Sequence, residues 1–251
     1  MSGHSKWSTI KRKKEGKDQK RGKIFSRLAR EIIVAARHGG GDPTANTRLR
    51  VAIQAAKAAN MPADNIARAI KRGTGELDGV QFEEITYEVY GPGGVAMCVE
   101  VMTDNKNRTT PEIRHILDRL GGSMAEMGAV TWMFDRKGMV LIDRGKATED
   151  QIMEAVLEAG AEDIQEGEDV FEVYCPPENL ADVTDALGAA GIELGTAEVS
   201  LIPKTTIPLE GKVAAKFVKL LEALEDHDDV QNVSANFDIP PEVMEELAAE
   251  A

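Results

Sequence analysis

The chain has 251 residues, of which 42% are hydrophobic, 29% are charged and only 4% are aromatic. This length allows two or three domains with cores of aliphatic side chains, and no apolar run approaches the roughly 18 residues that a membrane span needs. The first thirty residues are polar and basic and lack the apolar stretch of a secretory signal, so we expect a cytoplasmic protein without membrane attachment.

Charge is distributed very unevenly along the chain. Residues 1–72 hold 18 Lys and Arg against 5 Asp and Glu, a net charge of +13, whereas residues 73–251 hold 12 against 38, a net charge of −26. A basic N-terminal segment followed by an acidic remainder indicates a module that binds a polyanion, joined to a part that does not contact it. Nucleic acid is the leading candidate for this polyanion.

Residues 1–22 have no hydrophobic periodicity and predict a flexible basic arm. Its cations would neutralise phosphates, and Trp7 would be exposed and stack on an unpaired base. A solubilising tail is the alternative interpretation. The candidate nucleic-acid contacts of this stretch are Lys6, Trp7, Lys11, Arg12, Lys13, Lys14, Lys17, Lys20, Arg21 and Lys23.

Residues 23–77 predict a helical domain of three helices, the first stopped by glycines 39–41, the second over 46–60 and the third over 63–72. The short turn before the third helix is typical of a helix-turn-helix, in which residues 63–72 would be the recognition helix. An ordinary solvent-exposed basic face is the alternative. The candidate contacts here are Arg48, Arg50 and Lys57 on the second helix and Asn65, Arg68 and Arg72 on the third.

Residues 78–136 together with 204–251 predict a discontinuous α/β domain. Its expected elements are strands over 84–90, 95–102, 129–134 and 230–237 and helices over 109–120, 213–226 and 240–251. Thr109 and Glu112 have the spacing of a capping box that would begin the first of these helices. The loop before it holds further candidates for contacts with bases and phosphates, although the sequence alone slightly favours a polar turn that caps the helix. These candidates are Asn105, Lys106, Asn107 and Arg108.

Residues 137–203 predict an inserted acidic α/β domain with the order βαββαβ, and a Thr148/Gln151 capping box begins its first helix. The predicted fold class is therefore α+β, with an N-terminal helical bundle followed by two ferredoxin-like α/β sandwich domains, the second inserted into the first. Residues 138–203 hold 2 Lys and Arg against 16 Asp and Glu, a net charge of −14. Such a domain would be repelled by phosphates, so it either projects into solvent or docks on a basic protein, such as a ribosomal protein.

No sequence motif indicates catalysis. The chain lacks a phosphate-binding GxxxxGK loop, a GxSxG elbow, an HExxH metal motif and a GxGxxG turn. Cys98 and Cys175 lie far apart and are interpreted as two reduced, half-buried thiols, and no cluster of Cys or His has metal-ligand spacing. We therefore expect no enzyme activity, no cofactor and no metal, although a pair of acid/base carboxylates could be hidden in the acidic body.

Several longer motifs resemble the YebC/PmpR family. They are GHSKW, KRGKIFSRLAREIIVAARHGGGDP, NTRLRVAIQAAKAANMPADNIARAIKRGTGEL, YGPGGV, VMTDNKNR and WMFDRKG, which together run from residue 3 to about residue 240. Val89 is one departure, since the family pattern has Gly there. The resemblance implies a helical N-terminal domain followed by two α/β domains, and DNA binding in transcriptional regulation. It also implies kinship with organellar translational activators of cytochrome oxidase and with bacterial proteins that act on stalled ribosomes, notably at proline runs.

These observations predict a non-enzymatic nucleic-acid-binding regulator of gene expression. Two targets stay open: duplex DNA, which the helical bundle would bind in transcription, and ribosomal RNA, which the arm would bind while the acidic domain faces basic proteins. A protein-interaction scaffold and an enzyme are the remaining alternatives. The sequence makes no prediction of oligomeric state.

Overall fold

The computed structural model describes Trp7, residues 21–167, residues 169–240 and Val243. They divide into two compact units: one contains residues 21–80 and 136–200, and the other contains Trp7, residues 81–135, residues 201–240 and Val243. No helix within these residues is both long enough and apolar enough to cross a bilayer. The predicted closing helix over 240–251 lies almost entirely outside the described residues.

Both units contain helices and strands. The α-helices are α1 (Arg21–Gly39), α2 (Thr47–Ala58), α3 (Ala63–Gly73), α4 (Lys106–Leu120), α5 (Glu149–Val156), α6 (Leu180–Ala189) and α7 (Gly211–Glu225). The strands are β1 (Glu83–Tyr90), β2 (Ala96–Thr103), β3 (Ser123–Met124), β4 (Phe134–Asp143), β5 (Asp163–Glu166), β6 (Val170–Cys175), β7 (Thr196–Pro203), β8 (Ile207–Pro208), β9 (Val230–Ala235) and β10 (Phe237–Asp238).

The three helices of the N-terminal region form as predicted, except that α1 begins at Arg21, within the stretch predicted as a flexible arm. Two residues fix how the helices meet. Asn46 caps α2, because its side chain accepts a hydrogen bond from the Leu49 N–H at 3.0 Å. The same carboxamide donates to the Ala35 carbonyl at 2.8 Å, which ties the start of α2 to α1. Gly73 allows α3 to approach α1 closely, since a Cβ at this position would lie 2.5 Å from the Ile33 carbonyl oxygen.

The first unit also contains most of a four-stranded sheet in the order β5-β6-β4-β7. β6 pairs antiparallel with β4 and β5, and α5 begins with the predicted Thr148/Gln151 capping box. One face of the sheet packs against α5 and α6 around an aliphatic core of Val140, Ile142, Ile152, Val173, Val183 and Leu187. The last strand is shorter than predicted: residues 192–195 are irregular, β7 begins only at Thr196, and the Gly195 N–H donates to the Leu141 carbonyl.

Helix α2 meets α6 of the acidic region through a small set of polar contacts, which we call the α2–α6 seam. The guanidinium of Arg50 lies 3.5 Å from the Asp182 carboxylate, and the Gln54 amide donates to Asp185 at 2.7 Å. Val51 packs against the apolar core between these contacts. Part of the acidic surface therefore docks on a basic helix of the same chain.

The second unit is built on an antiparallel sheet in the order β3-β1-β2-β9, covered by α4 and α7. β1 and β2 form the predicted hairpin, and Gly93 occupies the left-handed region in its turn, at φ 79°. Val89, where the resemblance implied a glycine, is a fully buried strand residue. The core includes Phe217 and Phe237, whose ring centroids lie 4.7 Å apart.

The predicted strand over 129–134 is wrong. Residues 131–133 form a 3₁₀ turn, and β4 begins only at Phe134. The cause is the buried Glu88 carboxylate on β1, which accepts hydrogen bonds from the backbone N–H groups of Gly128, Val130 and Thr131 at 2.5, 2.6 and 3.0 Å. These N–H groups wrap around one carboxylate instead of joining a sheet.

The predicted capping box at Thr109 is wrong as well. Helix α4 begins three residues earlier, because the Asn105 side chain caps it by accepting from the Arg108 N–H at 3.2 Å. Thr109 is buried within the first turns of the helix, where its hydroxyl lies 2.7 Å from that of Thr103 on β2.

Candidate nucleic-acid interface

A groove of about 190 Å³ lies between α1 and α3 in the first unit. Its floor is apolar and includes the buried side chains of Ile33 and Met61, while polar and cationic side chains stand along α3. The lining residues are Phe25, Ser26, Ala29 and Ile33 from α1, Met61, and Asn65, Arg68, Ala69 and Arg72 from α3.

The three candidate residues of α3 share one exposed face, as their spacing predicts. Asn65, Arg68 and Arg72 are exposed and line the groove, while Ile66 and Gly73 of the same helix are buried. Within the described part of the chain, neither the Arg68 nor the Arg72 guanidinium takes part in an ion pair or a hydrogen bond. The face therefore presents two uncompensated cations one helical turn apart.

The cations of α2 are in a different situation. Arg48 makes a two-pronged contact with Glu31, at 2.7 Å from Nε and 3.3 Å from Nη2. Arg50 belongs to the α2–α6 seam, so its charge is partly offset by Asp182. Lys57, in the last turn of α2, and Lys23, near the start of α1, are exposed. Of the helix candidates whose side chains the structure describes, Asn65, Arg68 and Arg72 of α3 line one groove together.

The basic arm falls largely outside the described residues, which applies to the candidates Lys6, Lys11, Arg12, Lys13, Lys14, Lys17 and Lys20 and to the side chain of Arg21. Trp7 is described, and the prediction that it is exposed is wrong. Its side chain is 2% exposed in the core of the second unit, and its indole N–H donates to Glu225 at 3.0 Å. This ring is not open for base stacking.

The second tryptophan has the opposite environment. Trp132 is 65% exposed beside the Glu88-bound turn, and its indole N–H donates to the Ala129 carbonyl at 3.0 Å. Its exposure could not be predicted from an alternating pattern that indicates a strand.

Arg108, in the loop predicted before α4, is engaged in ion pairs within the fold. This guanidinium donates to Asp229 at 2.7 Å and to Asp104 at 3.0 Å, and both carboxylates raise the pKa of Arg108. Asn105 is the helix cap, so its side-chain oxygen is occupied as well. Lys106 and Asn107 are exposed in the first turn of α4. Of the four loop candidates, these two are the ones whose side chains neither cap the helix nor pair with Asp229.

The apolar floor of the groove is not among the features predicted from the sequence. Phe25, Ala29 and Ile33 follow one another at four-residue intervals on α1, a spacing that places them on one face of a helix. This spacing could have indicated the apolar floor. However, Ile24, Leu28 and Ile32 repeat with the same period, so the sequence alone does not show which of the two apolar stripes lines a groove. Among the described residues, no group of three His, Cys, Asp or Glu side chains is arranged to hold a metal ion.

Two sequence profiles match the chain over most of its length. The profile of the TACO1/YebC protein N-terminal domain matches residues 5–76, and that of the TACO1/YebC second and third domain matches residues 82–237. The chain belongs to the TACO1/YebC family. The groove between α1 and α3 lies entirely within the part matched by the N-terminal profile.

Similar proteins extend this family assignment over nearly the full chain. A relative from Desulfotalea psychrophila is 57% identical over 99% of this chain and 100% of its own length, and one from Geobacter sulfurreducens is 54% identical over 98% and 100%. Both carry the name "Probable transcriptional regulatory protein". The crystal structure of a conserved hypothetical protein from Aquifex aeolicus has a TM-score of 0.82 at 49% identity and covers 89% of this chain and 92% of its own.

Proposed function

We propose that this TACO1/YebC family member is a non-enzymatic regulator of gene expression that binds nucleic acid through its helical region. The observation that carries the proposal is the exposed pair of Arg68 and Arg72, which line one groove and have no carboxylate partner among the described residues. Two like charges one turn apart repel each other slightly on an isolated helix, and a bound polyanion would relieve that repulsion.

Duplex DNA is the first candidate target. The relatives carry the name of transcriptional regulatory proteins, and the turn between α2 and α3 supports a helix-turn-helix interpretation with α3 as the recognition helix. Arg68 and Arg72 would contact phosphates, and Asn65 would contact a phosphate or a base edge. The basic arm would add phosphate contacts that strengthen binding without sequence preference.

Ribosomal RNA is the second candidate target, and the acidic region supports it. Residues 138–203 have a net charge of −14, and two of their carboxylates, Asp182 and Asp185, contact α2 in the seam. The remaining acidic surface would be repelled by a phosphate backbone but would suit basic proteins of the kind found on ribosomes. In that arrangement the protein would act in translation, with the helical region on RNA and the acidic region on protein.

The test compares affinities of the full chain for a short DNA duplex and a structured RNA over a range of salt concentrations. The double variant Arg68→Gln/Arg72→Gln should weaken binding and reduce the slope of log Kd against log salt by about 1 for each phosphate that the protein no longer neutralises. Lys216→Gln/Lys219→Gln, which removes two exposed charges from α7, is the matched control and should leave the slope unchanged. An unaltered slope in the double variant would remove α3 from the interface.

A second series of variants measures how much the basic arm contributes to nucleic-acid binding. Neutralising Lys11, Arg12, Lys13 and Lys14 together should also weaken binding and flatten the salt dependence. If both series have an effect, the arm and α3 act on the same polyanion. A tighter complex with structured RNA than with duplex DNA, at equal salt, would favour the ribosomal alternative.

We also infer that both sheet regions are ferredoxin-like and that residues 137–203 form a domain inserted into one made of 78–136 and 204–251. In a ferredoxin-like fold, two strands that are joined by a helix are not neighbours in the sheet, because a third strand lies between them. Both sheet orders have this feature, which supports the inference. β6 lies between β4 and β5, and β1 lies between β2 and β3. In the first sheet the middle strand, β6, comes after β4 and β5 in the chain, whereas in the second sheet the middle strand, β1, comes before β2 and β3.

A further inference from the structure

The groove between α1 and α3 combines two features that a simple phosphate-binding surface does not need. Its lining contains a half-buried aromatic ring, Phe25, together with the buried side chains of Ile33 and Met61. Its lining also contains two alanines, Ala29 from α1 and Ala69 from α3, whose small side chains leave a recess between the helices. Phosphate oxygens gain nothing from an apolar recess.

The recess is small. Its volume of about 190 Å³ is below the range of roughly 300 to 1,000 Å³ that accommodates drug-sized ligands. A single flat ring system is of a size that this space can hold. The rim above it holds Arg68 and Arg72, whose charges call for an anion next to that ring.

We propose that this groove binds a single unpaired nucleobase, while Arg68 and Arg72 contact the phosphates on either side of it. The inference rests on the proposed function and specifies its target as a single-stranded or unpaired segment. Charge complementarity selects a nucleotide over a peptide side chain, because a neutral apolar side chain would leave both guanidinium groups uncompensated.

The remaining residues of the groove fit this occupant. Phe25 offers a ring for stacking, and base–aromatic stacking tolerates any base because every base has a π-face. The Asn65 carboxamide carries both a donor and an acceptor at the rim, where the edge of a base would lie. A base inside an intact duplex is stacked and paired, so it cannot enter the recess unless it is extruded.

The experiment separates the recess from the charges around it. In the full chain, Ala29→Leu fills the recess and leaves every charge in place, while Ala67→Leu makes the same change on the exposed side of α3. Phe25→Leu keeps the floor apolar but removes its ring. Fluorescence anisotropy then measures the affinity of each variant for a labelled single-stranded RNA and for a duplex of the same sequence, after circular dichroism has verified folding.

We expect Ala29→Leu to lose at least about fivefold in affinity for the single strand and to keep its duplex affinity, and Phe25→Leu to show a smaller loss of the same kind. Ala67→Leu should match the wild type with both probes. If Ala29→Leu and Phe25→Leu bind the single strand as tightly as the wild type, the base does not enter the groove. If Arg68→Gln/Arg72→Gln still weakens binding in that case, the proposed function stands and only this inference is overturned.

Discussion

The Nη2 atom of Arg108 lies 2.7 Å from the Oδ2 atom of Asp229, a carboxylate whose residue is only 3% exposed. The hydroxyl of Thr109 donates to the same oxygen at 2.7 Å, so two side chains from the start of α4 converge on one buried anion. A loop whose composition is typical of nucleic-acid contacts is thus also a structural junction between α4 and the segment before β9.

Arg108→Ala should destabilise the protein by about 2 kcal/mol, because it leaves a buried carboxylate without its cation, although the exposed half of the guanidinium limits the loss. Urea unfolding at neutral pH measures the effect. Arg114→Ala, an exposed arginine on the same helix, should change the free energy of unfolding by less than about 0.5 kcal/mol. Nucleic-acid affinity should change little in either variant; a large loss in Arg108→Ala alone would make Arg108 a contact residue after all.

Trp7 should be a stability residue and not a binding residue. Trp7→Ala removes a fully buried ring from the core of the second unit and should cost about 3 to 5 kcal/mol. Trp132→Ala removes the same side chain from an exposed position, so its cost should remain below about 1 kcal/mol. Thermal unfolding of the two variants provides the comparison, and equal losses would contradict the burial of Trp7.

Glu88 should make the stability of the protein depend on pH in the acid range. Burial raises its pKa, but the backbone hydrogen bonds from Val130, Gly128 and Thr131 outweigh burial and lower the pKa from its usual 4.5 to about 2. Because the folded state holds this proton less tightly than the unfolded state, Glu88 stabilises the fold above pH 4.5, and this contribution is lost as the pH falls toward 2.

The variant Glu88→Gln isolates this effect from other carboxylates. At neutral pH it should be less stable than the wild type by roughly 3 kcal/mol, since a carboxamide cannot accept all three N–H groups. The difference between the two proteins should shrink between pH 4.5 and pH 2. A difference that stays constant over that range would show that the charge of Glu88 is not what holds the turn.

Both cysteines should be unreactive in the folded protein. Burial raises the pKa of Cys98 to about 12 and that of Cys175 to about 11, so almost no thiolate is present at pH 8, and both side chains are inaccessible. A thiol-reactive disulfide reagent should modify neither until urea unfolds the chain, when both react. The exposed variant Thr86→Cys should react at once and serves as the positive control. Modification of a native thiol would indicate local opening of its sheet.

Much of the fold follows from local sequence signals. The helices of the N-terminal region, the β1–β2 hairpin and the capping box of α5 depend on residues close together in the chain, and the structure contains all of them. The turn over 128–133 could not be predicted in this way. Its determinant is Glu88, forty residues earlier, whose carboxylate captures N–H groups that an alternating pattern assigns to a strand.

The candidate site likewise has features that follow from the local sequence and features that depend on distant residues. The exposed face of Asn65, Arg68 and Arg72 follows from helical spacing alone, and the structure places all three in one groove. The local sequence around Trp7 is basic and polar, which predicts exposure. Its burial depends on distant parts of the chain: its ring belongs to a core whose other members begin at Tyr87, and its indole N–H donates to Glu225, more than two hundred positions away.

The α2–α6 seam has a consequence for how members of this family can exchange parts. Residues 21–80 alone would expose Val51 and leave Arg50 and Gln54 without Asp182 and Asp185. A chimera that takes the helical region from one relative and the acidic region from another inherits only half of each contact. The two segments are therefore expected to be transferred together, although more than fifty residues of a different unit separate them in the chain.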